Sequence, residues 1–174
     1  MKTVFLVGAA GAVALCFAAA GHDKTQTTKA AKPQSVSISA ADVKWGPAPA
    51  VLPKGAELAV LHGDPSKKAP FTLRLKMPAG YKIPPHWHSN DEQLTILSGA
   101  FLLHMGDTMD APATSLAAGG FHFLPGKMHH AAETKAETVV QLDGVGPFDI
   151  HYLNPADNPN AAGAPSKAAG AAKK

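Results

Sequence analysis

Three histidines and one glutamate in this chain stand at spacings that suit a single metal ion. His86 and His88 are two residues apart, and on an extended backbone such residues project from one face, so both imidazoles reach the same point. Glu92 follows across Ser89-Asn90-Asp91, a run of turn-forming residues that returns it at the start of the next strand. A further imidazole comes from far along the chain, at His129 or His130, after a turn marked by Pro125-Gly126. Three neutral imidazoles and a carboxylate make a hard-to-borderline donor set for one divalent transition metal, whether Fe, Mn, Ni, Cu or Zn. An octahedral ion there keeps two positions open for water, dioxygen or a chelating substrate. A tetrahedral ion is closed by the same four donors, and the site is then structural. Glu92 is also a candidate for a double role, as ligand and as proton acceptor. No second acid–base dyad suggests itself.

Other residues near the pattern carry weaker readings. Asp91 is placed either to hydrogen-bond a ligand imidazole or to cap its turn. His104, His122 and His151 fall in expected strands, as surface or core residues or, for one of them, as a proton carrier lining the cavity. Trp87, between two inward residues, is expected to face outward, and Gln93, opposite in parity to Glu92, to be an ordinary ladder residue. Phe101, Leu103 and Met105 share one parity, as core or as an apolar cavity wall.

Strands must position these groups. Turn signals come close together, among them Gly63-Asp64-Pro65, Pro84-Pro85, Ser98-Gly99, Gly119-Gly120 and Gly146-Pro147, and no segment carries a long helical period. Between them lie short apolar runs: Leu58–Leu61, Phe71–Met77, Gln93–Leu97, Phe101–Met105, Phe121–Leu124, Thr138–Leu142 and Phe148–Leu153. Short strands at this spacing argue for an all-β sandwich or barrel. Leu94 and Ile96 have the parity of Glu92 and should share its face. Residues 108–118 suggest only a loop or one helical turn.

The ends of the 174-residue chain read differently from its middle. Residues 1–20 combine a positive start with an apolar run ending Ala18-Ala19-Ala20, the pattern of a cleaved signal peptide, which predicts a periplasmic or secreted protein without a transmembrane segment after processing. Lipidation at Cys16 is a lesser alternative, since Leu15 stands where a small residue is usual. Cys16 is the only cysteine, so the processed chain has no disulfide and no thiolate chemistry. Residues 21–34 read as a flexible linker, 35–158 as the folded domain, and 159–174 as a disordered Ala/Gly/Lys tail. The formal net charge is +3, yet residues 35–157 hold nine basic against twelve acidic side chains. Basic tails around a mildly acidic core exclude a nucleic-acid-binding face.

Two segments carry a family resemblance. Gly80-x5-His86-Trp87-His88-x3-Glu92-x6-Gly99 is similar without a mismatch to the first motif of the cupin superfamily, and Gly119-x5-Pro125-Gly126-Lys127-Met128-His129-His130 resembles the second. The second departs from the family at Lys127, where a glycine is usual, and at Thr134, where Asn is usual. The stretch from Asp42-Val43-Lys44-Trp45-Gly46 to Asn154-Pro155-Ala156-Asp157 resembles small exported bacterial cupins. The resemblance implies a double-stranded β-helix, or jelly-roll barrel, with the metal inside and its last ligand at His130. By analogy it implies a homodimer. One barrel hosts many activities. A dioxygenase-like oxidoreductase acting on a small molecule is the first functional reading, and a non-catalytic metal or ligand sensor is the alternative.

Overall fold

Period-two alternation of apolar and polar side chains builds the molecule, which a computed structural model describes over residues 34–161. A 3-10 turn at Ala40–Asp42 precedes β1 (Gly46–Pro47), β2 (Glu57–His62), β3 (Pro70–Met77), β4 (Lys82–Trp87), β5 (Glu92–Ser98) and β6 (Ala100–Met105). Then come β7 (Ala113–Ala117), β8 (Phe121–Leu124), β9 (His130–Thr134), β10 (Thr138–Val145) and β11 (His151–Tyr152), closed by a 3-10 turn at Pro155–Asp157. The strands form two antiparallel sheets, ordered β1-β2-β3-β10-β5-β8 and β11-β4-β9-β6-β7. This is the expected all-β jelly-roll architecture. The readings of residues 1–20 and of nearly all of the linker and tail fall outside the described residues. Among the described residues no helix is long and apolar enough to cross a membrane.

β3 shows how the pattern sorts the faces. Phe71, Leu73, Leu75 and Met77 are buried, whereas Thr72, Arg74 and Lys76 keep contact with water. On the outer face Thr72 Oγ1 donates to Asp143 Oδ1 at 2.6 Å, Arg74 Nε donates to Gln141 Oε1 at 3.3 Å, and Lys76 pairs with Glu57. On the inner face β3, β5, β6 and β10 bring Leu75, Ile96, Leu103 and Val140 together as core. Glu92, Leu94 and Ile96 share the buried face of β5 as their parity requires.

Three expectations need correction. Residues 108–118 contain neither only loop nor a helical turn: Ala113–Ala117 is β7, at the edge of the five-stranded sheet and paired with β6. Its side chains are exposed apart from half-buried Leu116, so it carries no apolar alternation to read. Phe148–Leu153 is mostly irregular, with only His151–Tyr152 in a ladder. Pro84-Pro85 is not a turn but lies inside β4. Proline has no N–H to give to a ladder, and the pairing of β4 with β9 slips there: Ile83 faces Ala132, and His86 faces His130. Three steps on β4 thus match two on β9, a bulge of one residue. Without it Ile83 and His86 would point to opposite faces; with it both are buried inside.

The turn from β5 to β6 needs its glycine twice over. Gly99 has φ +79°, and a Cβ there would lie 2.3 Å from the carbonyl oxygen of Glu137.

Candidate metal centre

The interior ends of three strands and one connection converge on a single point. His86 comes from the bulged end of β4, His88 from just beyond it, Glu92 from the first residue of β5, and His130 from the first residue of β9. All four are buried. One ligand atom from each of His86, His88 and His130 lies within 4.8 Å of the others. Glu92 adjoins two of them, with Oε2 3.5 Å from both His88 Nε2 and His130 Nε2.

The backbone sets the tautomer of each ring. His86 Nδ1 lies 2.7 Å from the carbonyl oxygen of Pro84, His130 Nδ1 lies 3.0 Å from that of Met128, and His88 Nδ1 is bonded to that of Asp149. A carbonyl only accepts, so each Nδ1 carries the proton and donates it. A ring in its neutral form then keeps its lone pair on Nε2. His88 is further fixed by Phe148, whose ring stacks on it at 4.5 Å between centroids. Burial, with His130 and His88 as neighbours, holds His86 well below the usual imidazole range. Burial also lowers His88, although Glu92 and the Asp149 carbonyl act against it. Both rings are therefore neutral near pH 7.

The result is an unbalanced cluster. Lone pairs on Nε2 face a carboxylate whose buried Oε2 has no hydrogen-bond partner among the described residues. Such an arrangement is costly until a cation enters among the donors. The three-histidine group therefore fits a metal ion, and the Glu92 carboxylate lies beside two of its rings.

The space around the cluster fits the same reading. A void of about 30 Å³ touches His86, Glu92 and His130 from the core side, enough for one small occupant. A larger cavity of about 610 Å³ meets His86, His88 and Glu92 from the other side, between walls that include Leu58, Leu73 and Leu142.

The two histidines of the second segment lie in different surroundings. His130 is buried beside the other two rings, whereas His129 is half-buried, with Nδ1 2.7 Å from Asp107 Oδ1. Lys127, at the position where the family usually has glycine, adopts φ +66°, and its N–H donates to the His88 carbonyl at 2.7 Å. The turn keeps its left-handed shape without the glycine.

Asp91 does not touch a ligand ring. Its Oδ1 accepts from the Gly126 N–H at 2.8 Å, tying the two turns together. Gln93 is exposed, and Trp87, facing away from the interior, stacks on His151 at 4.0 Å. His104 lies beneath the segment after β6, with Nδ1 2.8 Å from the Ala111 carbonyl, and is not among the residues lining the cavity. His122 and His151 are half-buried outside the cavity. Phe101 and Leu103 are core, with Met105 packed against it.

Sequence reasoning missed the strap over His88. The Asp149 carboxylate accepts from Ser89 N–H at 2.7 Å and Ser89 Oγ at 2.6 Å, and pairs with His151 Nε2 at 3.0 Å. Burial alone would raise the Asp149 pKa, but the Ser89 bonds and His151 outweigh it and hold it below the carboxylate range. Its one sequence signal was the turn at Gly146-Pro147; the contacts span about sixty residues and leave no local pattern.

A family model described as the ChrR cupin-like domain matches residues 33–149. No curated protein matches. Among solved structures, the chain is similar to a putative acetylacetone dioxygenase from Methylibium petroleiphilum, with TM-score 0.58 and 20% identity over 75% of this chain and 89% of that one. It is similar to the polyketide cyclase RemF from Streptomyces resistomycificus, with TM-score 0.59 and 15% identity over 72% and 90%. A third likeness is to an acetylacetone dioxygenase from Acinetobacter johnsonii, with TM-score 0.55 and 19% identity over 73% and 82%. At these identities the likenesses establish the fold.

Proposed function

Because the chain belongs to the ChrR cupin-like domain family, we propose that it binds one divalent transition metal through His86, His88, Glu92 and His130 and acts as a dioxygenase-like oxidoreductase on a small molecule. The observation that carries this is the unpartnered Glu92 Oε2 among imidazole lone pairs, at the end of a cavity large enough for a substrate. Bound there, such an ion supplies Lewis acidity and, if it is iron, copper or nickel, one-electron chemistry with dioxygen. The chain's own residues do the rest. The Pro84, Met128 and Asp149 carbonyls orient the three rings, and Phe148 shields one face of His88. Aliphatic walls flank the cavity beside the cluster. Glu92 is the group within reach to accept a proton from a bound molecule.

A second reading, a non-catalytic metal or ligand sensor, is favoured by the count of donors. Four protein donors complete a tetrahedral sphere without any substrate.

Elemental analysis of the purified protein beside a His86→Ala/His88→Ala variant tests the metal. We expect about one transition metal per wild-type chain, with the variant losing nearly all of it. Equal metal in both proteins, or none in either after titration with each candidate ion, would refute the site. Oxygen uptake follows for iron, copper or nickel; a zinc-filled site without turnover would leave the sensor standing.

A further inference from the structure

We propose that the cavity beside His86, His88 and Glu92 receives an uncharged, mainly apolar molecule that carries its polar atoms at one end. The inference rests on reading this cavity as the substrate chamber of the metal site, and it names what that chamber selects.

The polar groups facing the cavity are sorted by depth. His86, His88 and Glu92 meet it as buried groups with half-buried Asp149 beside His88, and Asp64 and Ser66 face it from an exposed turn. Between them the walls are aliphatic, with Leu58, Leu73, Leu75, Ile83 and Leu142 among them. Among the described residues no lysine or arginine lines the cavity. Every carboxylate facing the cavity is engaged by neighbours or buried: Asp64 by Ser66 N–H and Oγ, Asp149 by Ser89 and His151, Glu92 among the imidazoles. Lys67, in the same turn as Asp64, attracts that carboxylate and is not among the lining residues.

An anionic group along the body of a ligand would lose its water against leucine and isoleucine and meet only negative neighbours. A cation along the body would lose its water against the same aliphatic walls and find the Asp64 and Asp149 carboxylates already engaged by their neighbours. An uncharged body loses nothing polar there and gains the burial of its apolar surface. A hydroxyl or carbonyl at the leading end reaches the imidazole and carboxylate cluster. The volume of about 610 Å³ falls within the range of small-molecule sites.

Two dyes of nearly the same shape test this: neutral N-phenylnaphthylamine and its sulfonated analogue, anilinonaphthalene sulfonate. Each is titrated by fluorescence into the full chain, both metal-loaded and chelator-treated. We expect saturable binding of the neutral dye and affinity for the sulfonate lower by about tenfold or more. Val60→Trp, at a lining position 47% exposed and so free of core constraints, should weaken the neutral dye by about tenfold. Ile150→Lys, at a half-buried lining position, should reverse the preference between the dyes. Phe121→Ser/Phe123→Ser, on an exposed edge away from the cavity, should change neither. Equal binding of the two dyes, binding of neither, or loss confined to the Phe121/Phe123 variant would overturn the proposal. Metal content of the same samples separates the two claims. Dye selectivity without metal strikes the metal site alone, and metal without dye selectivity strikes this inference alone.

Discussion

Glu92 holds opposed demands in one side chain. Without an ion, its buried Oε2 lies 3.5 Å from Nε2 of His88 and of His130 and has no donor among the described residues. In the proposed metal centre the same charge would serve as a ligand. Glu92→Gln keeps the shape, removes the charge and supplies an amide N–H that can donate to a neighbouring Nε2. It should therefore stabilise the metal-free protein, by about 1–2 kcal/mol, while weakening metal binding by at least about tenfold. Urea unfolding of chelator-treated protein and metal titration measure the two effects on one variant. A loss of metal-free stability would mean that Glu92 has a donor in the unloaded site, contrary to its surroundings here. The choice of His130 over His129 belongs to this scale too. The family motif favoured His130, which begins β9 and faces His86 across the ladder.

At the scale of the elements, two turns carry the site. Gly99 closes β5 onto β6 with φ +79° and no room for a Cβ beside the Glu137 carbonyl. Gly99→Ala should destabilise by about 3 kcal/mol. Lys127 shows the converse, since it accepts φ +66° as a lysine. Lys127→Gly should leave the thermal midpoint nearly unchanged, whereas Lys127→Val should cost about 1–2 kcal/mol, because a β-branched side chain tolerates the left-handed region poorly. Thermal melts of the three variants separate the cases, and a neutral Gly99→Ala would show that the β5–β6 turn relaxes freely. These turns also mark what the sequence made legible. β3, β5 and β10 were readable because one face is buried and the other wet, and the first metal segment because its ligands are close in sequence. β4 hid behind Pro84-Pro85, which usually signals a turn and here makes the bulge that aims His86 inward. β7 hid because an exposed edge strand has no apolar alternation, and the Asp149 strap because its partners are far apart in sequence.

For the whole molecule, the neutral imidazoles link folding to pH. Burial holds His86 well below and His88 below the ordinary value of 6.5, while the unfolded chain regains that value. Below about pH 6.5 the unfolded state takes up protons that the folded state resists, and stability falls with pH. The contribution of these rings is thus fully present above about pH 6.5 and is lost as the pH drops from there toward their folded values. Carboxylates act lower: Asp149 is held below its usual range, so its share is lost only in more acidic solution. A bound ion opposes protonation of its ligands, and acid then acts first by displacing the metal. Urea midpoints of chelator-treated protein should accordingly be flat above about pH 7 and decline between about pH 6.5 and pH 5. Metal-loaded protein should be more stable throughout, and its advantage should shrink over the same interval as metal leaves. In His86→Ala/His88→Ala the decline should flatten, since the rings that resist protonation are gone. An equally steep decline in that variant would assign the acid sensitivity to groups outside the metal centre, and the centre would then contribute little to the pH dependence of folding.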